Sequence, residues 1–426
     1  MNHLKPLAII GLGYVGLPLS IAFSKKIDTV VGFDTSKIRI QELKNNEDKT
    51  GEVSFNDLRS SKIQYSFHHD SLSACENFIV TVPTPIFKNK KPDLRAIKSA
   101  SKMVGKNLKR GSIVIFESTV YPGLTEEICI PLLEKYSGLF INKDFFVGYS
   151  PERINPGDKR RSLANITKVI SSSNQKSLGV IFKLYKLIIN AEVYKAPSIK
   201  VAEAAKIIEN TQRDINIALM NELSIIFNKL NINTDEVLKA ANTKWNFLDF
   251  KPGLVGGHCI GVDPYYLTHL SERIGYKPKI ISAGRKINDR MASHVAKRVI
   301  KMVKESNPKK NFFKALILGI TFKEDCPDIR NTKVIDLITT LNDMNCKCDC
   351  YDPYVSSANQ SRELRDIKLL DNLPKTPVKY DAILLCVPHK IFRGMDVATI
   401  RNLSSKDVIF FDLKSSFDNL LVDGSL

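Results

Sequence analysis

A glycine-rich turn between an apolar strand and a helix is the feature that most limits the fold of this chain. Gly11, Gly13 and Gly16 form GLGYVG after the apolar run LAII, and Asp34 ends the next strand, 18 positions after Gly16. Glycines let the backbone turn tightly and approach a pyrophosphate, which the N-terminus of the following helix attracts. The pattern predicts a dinucleotide-binding βαβ unit rather than a chance glycine turn.

The acid that ends the second strand indicates which dinucleotide binds. Asp34 would accept hydrogen bonds from the adenosine ribose hydroxyls and repel a 2′-phosphate, so NAD is favoured over NADP. Lys37 and Arg39 lie nearby and work against that preference. We include Arg39 among the candidate cofactor-binding residues.

Strands and helices alternate along most of the chain, as in doubly wound α/β proteins. Residues 7–120 alternate short apolar strands with helices, and a second α/β region, without a GxGxxG turn, begins near Asn311. Between them, residues 198–230 form one helical pattern that contains no Gly or Pro. We expect two Rossmann-like parallel-sheet domains joined by a long central helix and a helical middle domain, with boundaries at 1–197, 198–305 and 306–426.

Composition and charge exclude several classes of protein. A chain with 43% hydrophobic and 25% charged residues is typical of soluble globular proteins, and no segment approaches the roughly 20 apolar residues of a membrane span. The net charge of +18 raises nucleic acid as a partner, but the basic runs are short, scattered and without interleaved aromatics. We therefore expect no nucleic-acid or membrane partner and, since no signal-peptide pattern is seen, a cytoplasmic protein.

The eight cysteines are too few and too irregularly spaced for a disulfide scaffold, which fits a reducing compartment. Cys346, Cys348 and Cys350 alternate along a predicted strand and would share one face. A buried apolar face is favoured over a metal site there, and we expect no metal.

Cys259 stands in a different context, KPGLVGGHCIGVDPYYL, among Gly256, Gly257 and Gly261. A free cysteine is commonly an inert core residue, but a core position does not require flanking glycines, which would let a substrate approach the sulfur. His258 raises a Cys/His hydrolase pair, although adjacent side chains usually point apart and no hydrolase signature is present.

The chemistry of NAD gives this thiol a use. Oxidation of an alcohol yields an aldehyde, which must gain a nucleophile before it can give up a second hydride. A thiolate would form a thiohemiacetal, whose oxidation gives a thioester that water hydrolyses to an acid. Lys206 and Asn210, four residues apart on one helix face, are candidates to assist because a buried lysine needs a partner; an exposed structural lysine is the alternative.

These motifs together resemble the UDP-glucose/GDP-mannose dehydrogenase family, whose NAD-dependent enzymes oxidise nucleotide-sugar C6 alcohols to uronates. The resemblance covers nearly the whole chain, through GLGYVGLPLS, VPTP, ESTVYPG, SPERINPG, GGHCIGVDP, GITFKEDCPDIRN and FFDLK. It implies that the middle helix carries a dimer contact, so we expect a homodimer or higher homo-oligomer, and that the C-terminal domain binds the UDP-sugar.

The resemblance also implies roles for individual residues. Cys259 would be the nucleophile, with Lys206 and Asn210 stabilising the oxyanion. Asp263 and Thr119 would position water, and Glu152 would assist thioester hydrolysis. The base for the first oxidation stays open among water, Lys206 and Asp263. Further cofactor-binding candidates are Tyr14, Val15, Pro83, Thr84, Ser118, Thr119 and Arg330, and substrate-binding candidates are Glu152, Arg153, Lys206, Asn210, Lys244, Gly256, Gly257, Lys323 and Lys414.

Two of these positions depart from the common family pattern. The family often carries an arginine in a D-x-R motif where this chain has Asp412-Leu413-Lys414, which leaves a point charge without a bidentate fork. Pro151-Glu152-Arg153 replaces the PEF motif of UDP-glucose dehydrogenases and resembles the branch that acts on UDP-N-acetylhexosamines. UDP-N-acetylglucosamine or UDP-N-acetylgalactosamine is the expected substrate, for bacterial surface polysaccharides such as capsule or O-antigen; UDP-N-acetylmannosamine and UDP-glucose are alternatives.

Two other classes of function stay open. A two-electron hydroxy-acid dehydrogenase would also pair an N-terminal Rossmann domain with a helical lysine and asparagine, but it needs neither Cys259 nor the C-terminal domain with Lys323 and Arg330. A regulator that binds NAD or nucleic acid would need none of the candidate catalytic residues.

Overall fold

The computed structural model describes residues 5–154, 162–357, 364–405 and 407–426, so Asn155, Pro156 and Gly157 of the SPERINPG motif lie outside the described residues. The chain divides into two units. Unit 1 comprises residues 1–210 and 265–277, and unit 2 comprises residues 211–264 and 278–426. The three-domain division at 197 and 305 stays a prediction.

Unit 1 is built on an eight-stranded sheet with the order β3-β2-β1-β4-β5-β6-β7-β8. Neighbouring strands are parallel except β6 and β7, which are antiparallel. The strands are β1 (Leu7–Ile10), β2 (Val30–Phe33), β3 (Ile63–Ser66), β4 (Asn77–Val80), β5 (Ser112–Phe116), β6 (Phe145–Tyr149), β7 (Lys168–Ser172) and β8 (Val193–Lys195). Every residue of β1, β4 and β5 is buried, as expected for the centre of a parallel sheet with helices on both faces.

Unit 2 contains a second parallel sheet with the order β11-β10-β9-β12-β13-β14. Its strands are β9 (Phe313–Leu318), β10 (Cys346–Tyr351), β11 (Lys368–Leu370), β12 (Ala382–Leu385), β13 (Ile409–Asp412) and β14 (Gly424–Ser425). This is the 3-2-1-4-5-6 order of the dinucleotide-binding fold. Cys346, Cys348 and Cys350 all belong to the core beneath β10, which confirms the predicted buried cysteine face. The prediction of two Rossmann-like sheets is also confirmed.

The helices follow the predicted alternation. They are α1 (Gly16–Ser24), α2 (Lys37–Lys44), α3 (Phe55–Ser60), α4 (Arg95–Gly105), α5 (Ile130–Ser137), α6 (Gln175–Lys186), α7 (Ile199–Lys229), α8 (Thr234–Ala241), α9 (Asp263–Arg273), α10 (Lys279–Ser306), α11 (Lys333–Asp343), α12 (Lys390–Arg393) and α13 (Val397–Arg401). Helix α7 has 31 residues and matches the predicted 198–230 helix, and the division between the two units falls within it. Among the described residues, no helix combines the length and apolarity needed to cross a bilayer.

The turn from β1 to α1 depends on two close backbone contacts. Gly11 has φ +95°, a left-handed conformation that favours glycine. A Cβ on Gly16 would lie 1.8 Å from the Gly11 carbonyl oxygen, so only glycine allows α1 to start this close to β1. Nothing lies within 4 Å of a Cβ on Gly13. This open middle position leaves room for a ligand above the turn.

The contrast between Gly16 and Gly13 provides a matched pair of substitutions. Gly16→Ala should lower the free energy of unfolding by about 2 kcal/mol or more, because its methyl group overlaps backbone that must move. Gly13→Ala should change it by less than about 0.5 kcal/mol and should instead weaken NAD binding. Calorimetric unfolding without NAD, followed by titration with NAD, measures both. Equal destabilisation by the two substitutions would contradict the packing described here.

Candidate active site

The carboxylate that ends β2 is held directly against the glycine turn. Asp34 accepts hydrogen bonds from the backbone N–H of Leu12, at 2.9 Å, and from that of Ser36, at 2.8 Å. Arg39 donates from Nε to the Leu12 carbonyl and from its guanidinium to Asp48, at 2.8 Å. Because Asp48 neutralises Arg39, the arginine is a weak candidate to attract a 2′-phosphate, and the arrangement fits NAD. Its role in cofactor binding stays a prediction.

The loops after β4 and β5 meet the same turn at the carboxyl edge of the sheet. Thr81 donates from its hydroxyl to the Gly11 carbonyl, at 2.7 Å, and Ser118 donates to the Val82 carbonyl, at 2.6 Å. The neighbouring β1 and β4 lie where the strand order reverses, which is where open α/β sheets bind ligands. The structure therefore brings Pro83, Thr84, Ser118 and Thr119 to the edge that carries the Gly11 turn.

Glu152, just after β6, belongs to a buried group of charges that we call the Lys168 cluster: Glu117, Glu152, Lys168 and Tyr185. The Lys168 ammonium lies 2.9 Å from Glu117 and 2.8 Å from Glu152, and the Tyr185 hydroxyl donates to Glu117. Sequence reasoning identified only Glu152. Glu117 precedes the predicted Ser118, but nothing in the local pattern indicates that it pairs with a lysine 51 residues later.

The two carboxyls of the Lys168 cluster respond differently to burial. Burial raises the pKa of Glu117 to about 7, even though Lys168 lowers it. Burial also raises the pKa of Glu152, but Lys168 and the backbone N–H groups of Arg153 and Ile154 more than offset this, so its pKa lies below the ordinary value. Glu152 is thus the more acidic of the two carboxyls.

Arg153, a predicted substrate residue, is tied to unit 1 by its guanidinium. It donates to the Thr167 carbonyl at 3.1 Å and forms a 2.9 Å ion pair with Glu209 of α7. Any contact between Arg153 and an anionic substrate must therefore share or replace Glu209.

Helix α7 carries the predicted Lys206 and Asn210, and both are buried. No carboxylate or carbonyl in the described parts of the chain pairs with the Lys206 ammonium. A buried cation without a partner is costly, and it is suited to receive a negative charge from a ligand.

One turn before Lys206, Glu203 is a buried carboxyl that sequence reasoning missed. It accepts hydrogen bonds from the backbone N–H groups of Gly123, at 2.6 Å, and Thr125, at 3.0 Å. Gly123 and Thr125 lie at the start of the helical segment Thr125–Cys129, so Glu203 caps it from another helix. Burial raises the pKa of Glu203 to about 7.

In unit 2, Cys259 is exposed, whereas the other seven cysteines, all within the described residues, are buried. Its carbonyl accepts hydrogen bonds from the backbone N–H groups of Val262 and Asp263, at 3.0 and 2.8 Å, where α9 begins. The structure thus fixes the backbone around this thiol and leaves the residue itself accessible.

Gly256 and Gly257 lie in close contact with another segment of unit 2. A Cβ on Gly256 would lie 2.5 Å from the Asn331 carbonyl oxygen, and one on Gly257, where φ is +83°, would lie 2.7 Å from the Phe322 ring. These glycines therefore allow close packing against Phe322 and residues 331–333, and their expected role in opening the backbone for a substrate stays a prediction. At Gly261 a Cβ would make only ordinary contacts, 3.6 Å or longer, so space remains on that side.

Asp328 joins two residues that the sequence places far apart. Its carboxylate lies 2.7 Å from His258 Nε2 and accepts a fork from Arg330, with distances of 3.1 and 2.8 Å. Burial raises the pKa of Asp328, but His258 and Arg330 lower it well below its usual range. His258 thus has an acidic partner of its own, which fits a supporting role and not the Cys/His pair of a hydrolase.

The predicted substrate lysines have separate settings. Lys414 lies 3.2 Å from Glu324, the Lys323 ammonium lies 5.5 Å from the centre of the Phe322 ring, and Lys244 is exposed after α8. The loop that carries Lys323 is held by the buried His389, whose Nδ1 accepts the Asp325 N–H at 2.9 Å while Nε2 faces Asp352 at 3.0 Å. Sequence reasoning missed His389, because its partners are 37 and 64 residues away.

A glycine turn bounded by an acid, in a sheet of this order, defines a dinucleotide-binding protein with a second Rossmann-like sheet in the same chain. The chain belongs to the UDP-glucose/GDP-mannose dehydrogenase family. The NAD binding domain of that family matches residues 5–189, its central domain matches residues 200–290 and its UDP binding domain matches residues 316–419.

Similar proteins come from several organisms. The chain is 51% identical over 425 residues to a UDP-N-acetyl-D-glucosamine 6-dehydrogenase of Pseudomonas aeruginosa, covering 98% of each chain. It is 52% identical over 412 residues to one of Salmonella typhi, covering 96% of this chain and 95% of that one. Among solved structures, a UDP-D-ManNAc dehydrogenase from Pyrococcus horikoshii aligns with a TM-score of 0.86 at 28% identity, covering 99% of this chain and 98% of that one.

The cap supplied by Glu203 predicts a pH-dependent stability. A buried carboxyl whose pKa is raised from its ordinary value of 4.5 to about 7 stabilises the fold fully below pH 4.5. This contribution is lost as the pH rises through about 7. The stability of the natural protein relative to Glu203→Gln should therefore fall between pH 4.5 and 7, by at most roughly 3 kcal/mol.

Urea unfolding of both proteins at several pH values measures this difference. Glu117 titrates in both proteins and cancels in the comparison. A stability difference that stays constant or grows with pH would contradict the buried, proton-binding state of Glu203.

Proposed function

We propose that this protein oxidises the C6 hydroxyl of UDP-N-acetylglucosamine to a carboxylate, consuming two NAD for each sugar. The observation that carries the reaction type is the exposed Cys259 in a chain whose other cysteines are buried. The choice of sugar is supported by relatives of that name at 51% and 52% identity over nearly the full chain, whereas the aligned UDP-D-ManNAc dehydrogenase is 28% identical.

The NAD site proposed in unit 1 fits its ligand by the chemistry of its groups. The open position at Gly13 admits a pyrophosphate, and Asp34 presents a carboxylate for ribose hydroxyls. Tyr14, Val15, Pro83, Thr84 and Ser118 are proposed to complete the site, with Arg330 as a contact to the diphosphate. When bound, NAD supplies the acceptor for the hydride in each oxidation.

The chain's own residues supply the remaining chemistry. Cys259 adds to the C6 aldehyde, and Lys206 and Asn210 stabilise the oxyanion of the thiohemiacetal. Loss of the second hydride leaves a thioester on Cys259. Water, positioned by Asp263 and Thr119, then attacks the thioester while Glu152 accepts its proton. The absence of a described partner for the ammonium of Lys206, a largely buried residue, supports its role as an oxyanion partner.

Substrate binding is proposed to rest on cationic groups, which match the diphosphate of a UDP-sugar. These are Arg153, Lys244, Lys323 and Lys414. The backbone of Gly256 and Gly257, just before Cys259 in the sequence, is also proposed to contact the substrate. Lys414 offers a point charge and not a fork, and its pairing with Glu324 sets a competing interaction.

The identity of the sugar is tested by comparing four substrates with NAD. We expect UDP-N-acetylglucosamine to give the highest kcat/KM, exceeding those of UDP-N-acetylgalactosamine, UDP-N-acetylmannosamine and UDP-glucose by about 10-fold or more. NADH formation with each sugar at matched concentrations measures this. A higher kcat/KM for any of the other three would replace the proposed substrate.

We further propose a cytoplasmic protein that is at least a dimer, which the reduced cysteines and an apolar face of α7 support. Helix α7 exposes Val201, Ile208, Leu219 and Ile226, spaced by 7, 11 and 7 residues, which is the spacing of a single helix face. Exposed apolar stripes of this kind mark association surfaces.

A charge on the α7 face should break the association. Leu219→Glu is expected to give a monomer, whereas Phe55→Glu, at a similarly exposed apolar residue on α3, should leave the mass unchanged. Sedimentation equilibrium measures both masses. A natural protein that is monomeric, or a Leu219→Glu variant with unchanged mass, would refute this surface.

A further inference from the structure

The antiparallel strand β7 explains why a lysine reaches the carboxyl edge of the sheet in unit 1. Glu117 follows β5 and Glu152 follows β6, so both carboxylates stand where these parallel strands end. Because β7 runs opposite to β6, its first residue, Lys168, lies at that same edge. The topology thus assembles two acids and one cation from three different strands.

Burial makes the arrangement energetically demanding. Lys168 is 3% exposed, Glu117 is 3% exposed and Glu152 is 8% exposed, so water does not screen their charges. One ammonium between two carboxylates balances one negative charge. The second acid, Glu117, is the one whose pKa is raised to about 7, and Tyr185 donates to it. Of the two acids, Glu152 therefore ionises at the lower pH, with the Lys168 ammonium as its partner.

The hydrogen bonds of Glu152 leave one of its acceptor sites without a described partner. Its Oε1 accepts from the backbone N–H groups of Arg153 and Ile154, at 2.6 and 2.7 Å, and its Oε2 accepts from Lys168. A carboxylate has about four acceptor sites, so among the described partners one remains, on Oε2. The oxygen that Lys168 orients is thus also the one available to a water molecule.

We propose that Lys168 is a positioning residue for thioester hydrolysis, because its ammonium, 2.8 Å from Glu152, holds that carboxylate in one orientation. This inference rests on the proposed function. In the step it serves, the oxygen of water bonds to the thioester carbon and a proton of water passes to Glu152 Oε2. The carbon to sulfur bond then breaks, and Cys259 leaves as a thiolate without any change of oxidation state.

Removal of the ammonium separates hydrolysis from the two hydride transfers. In Lys168→Gln, an uncharged side chain that can still donate a hydrogen bond, buried Glu152 should hold a proton at neutral pH. We expect a burst of two NADH per active site at a rate within about 3-fold of the natural protein, followed by turnover slowed by ~100-fold. A sugar thioester should accumulate on Cys259 and appear in the intact mass.

The pH profile adds a readout that a structural role would not move. Glu152 must be ionised to accept a proton, so activity falls on the acid side. Without the ammonium the pKa of Glu152 rises, and the acid limb of steady-state turnover should move to higher pH in Lys168→Gln. Lys168→Arg, which keeps the charge, should return the limb towards its original position and reduce the accumulated thioester.

Arg285→Met provides the matched control, because it removes another buried cation, 3% exposed and 2.6 Å from Asp214 in unit 2. It should lower the unfolding temperature without any accumulation of thioester. If Lys168→Gln behaves in the same way, or slows the burst and turnover equally, the positioning role is wrong. If Lys168→Gln does not fold, Lys168→Arg decides, because the bulkier cation moves Glu152. Thioester that accumulates after an intact burst supports the role, and equal slowing of burst and turnover overturns it.

The outcome for the natural protein keeps the two proposals apart. If it forms two NADH for each sugar and Lys168→Gln shows no thioester, only the role of Lys168 fails. If the natural protein forms one NADH for each sugar, the proposed function fails before Lys168 is tested.

Discussion

The Lys168 ammonium offsets the cost of burying two acids, Glu117 and Glu152, at the carboxyl edge of the first sheet. Removing one partner from such a buried group leaves an uncompensated charge, which is far more costly than losing a surface ion pair. Its position depends on β7 being antiparallel to β6, because a parallel strand would place its first residue at the other edge. The direction of β7 in unit 1 therefore determines whether Glu152 has a cation beside it that favours its ionised form.

Close contacts with other segments require glycine in both glycine motifs. Gly16 lets α1 approach the Gly11 carbonyl, and Gly256 and Gly257 let the segment before Cys259 approach Asn331 and Phe322. At Gly16 the sequence motif already implied this approach. At Gly256 and Gly257 it did not, because the partner segment lies about 70 residues further along the chain, and the glycines were interpreted as space for the sugar.

The elements of the fold were largely predictable because their signals are local. The predicted 198–230 helix is observed as Ile199–Lys229, and the alternating cysteines of β10 are buried. The missed groups, Lys168, Glu203 and His389, act through partners 51, 80 and 64 residues away. Hydrophobic periodicity and turn residues carry no information about such pairs, since the pairing depends on which strand ends and helices the fold brings together. The local motifs indicated Cys259 and Lys206 as candidates and the family resemblance gave them roles, but neither indicated what holds the groups around them.

The proposed reaction requires that one thiol, that of Cys259, makes a second oxidation possible. With UDP-N-acetylglucosamine limiting and NAD in excess, the natural protein should form two NADH for each sugar and release a C6 carboxylate. Cys259→Ser, which replaces the thiol by a poorly nucleophilic hydroxyl, should reduce acid formation by about 1000-fold or more. One NADH for each sugar, or acid formed by Cys259→Ser at the natural rate, would contradict it.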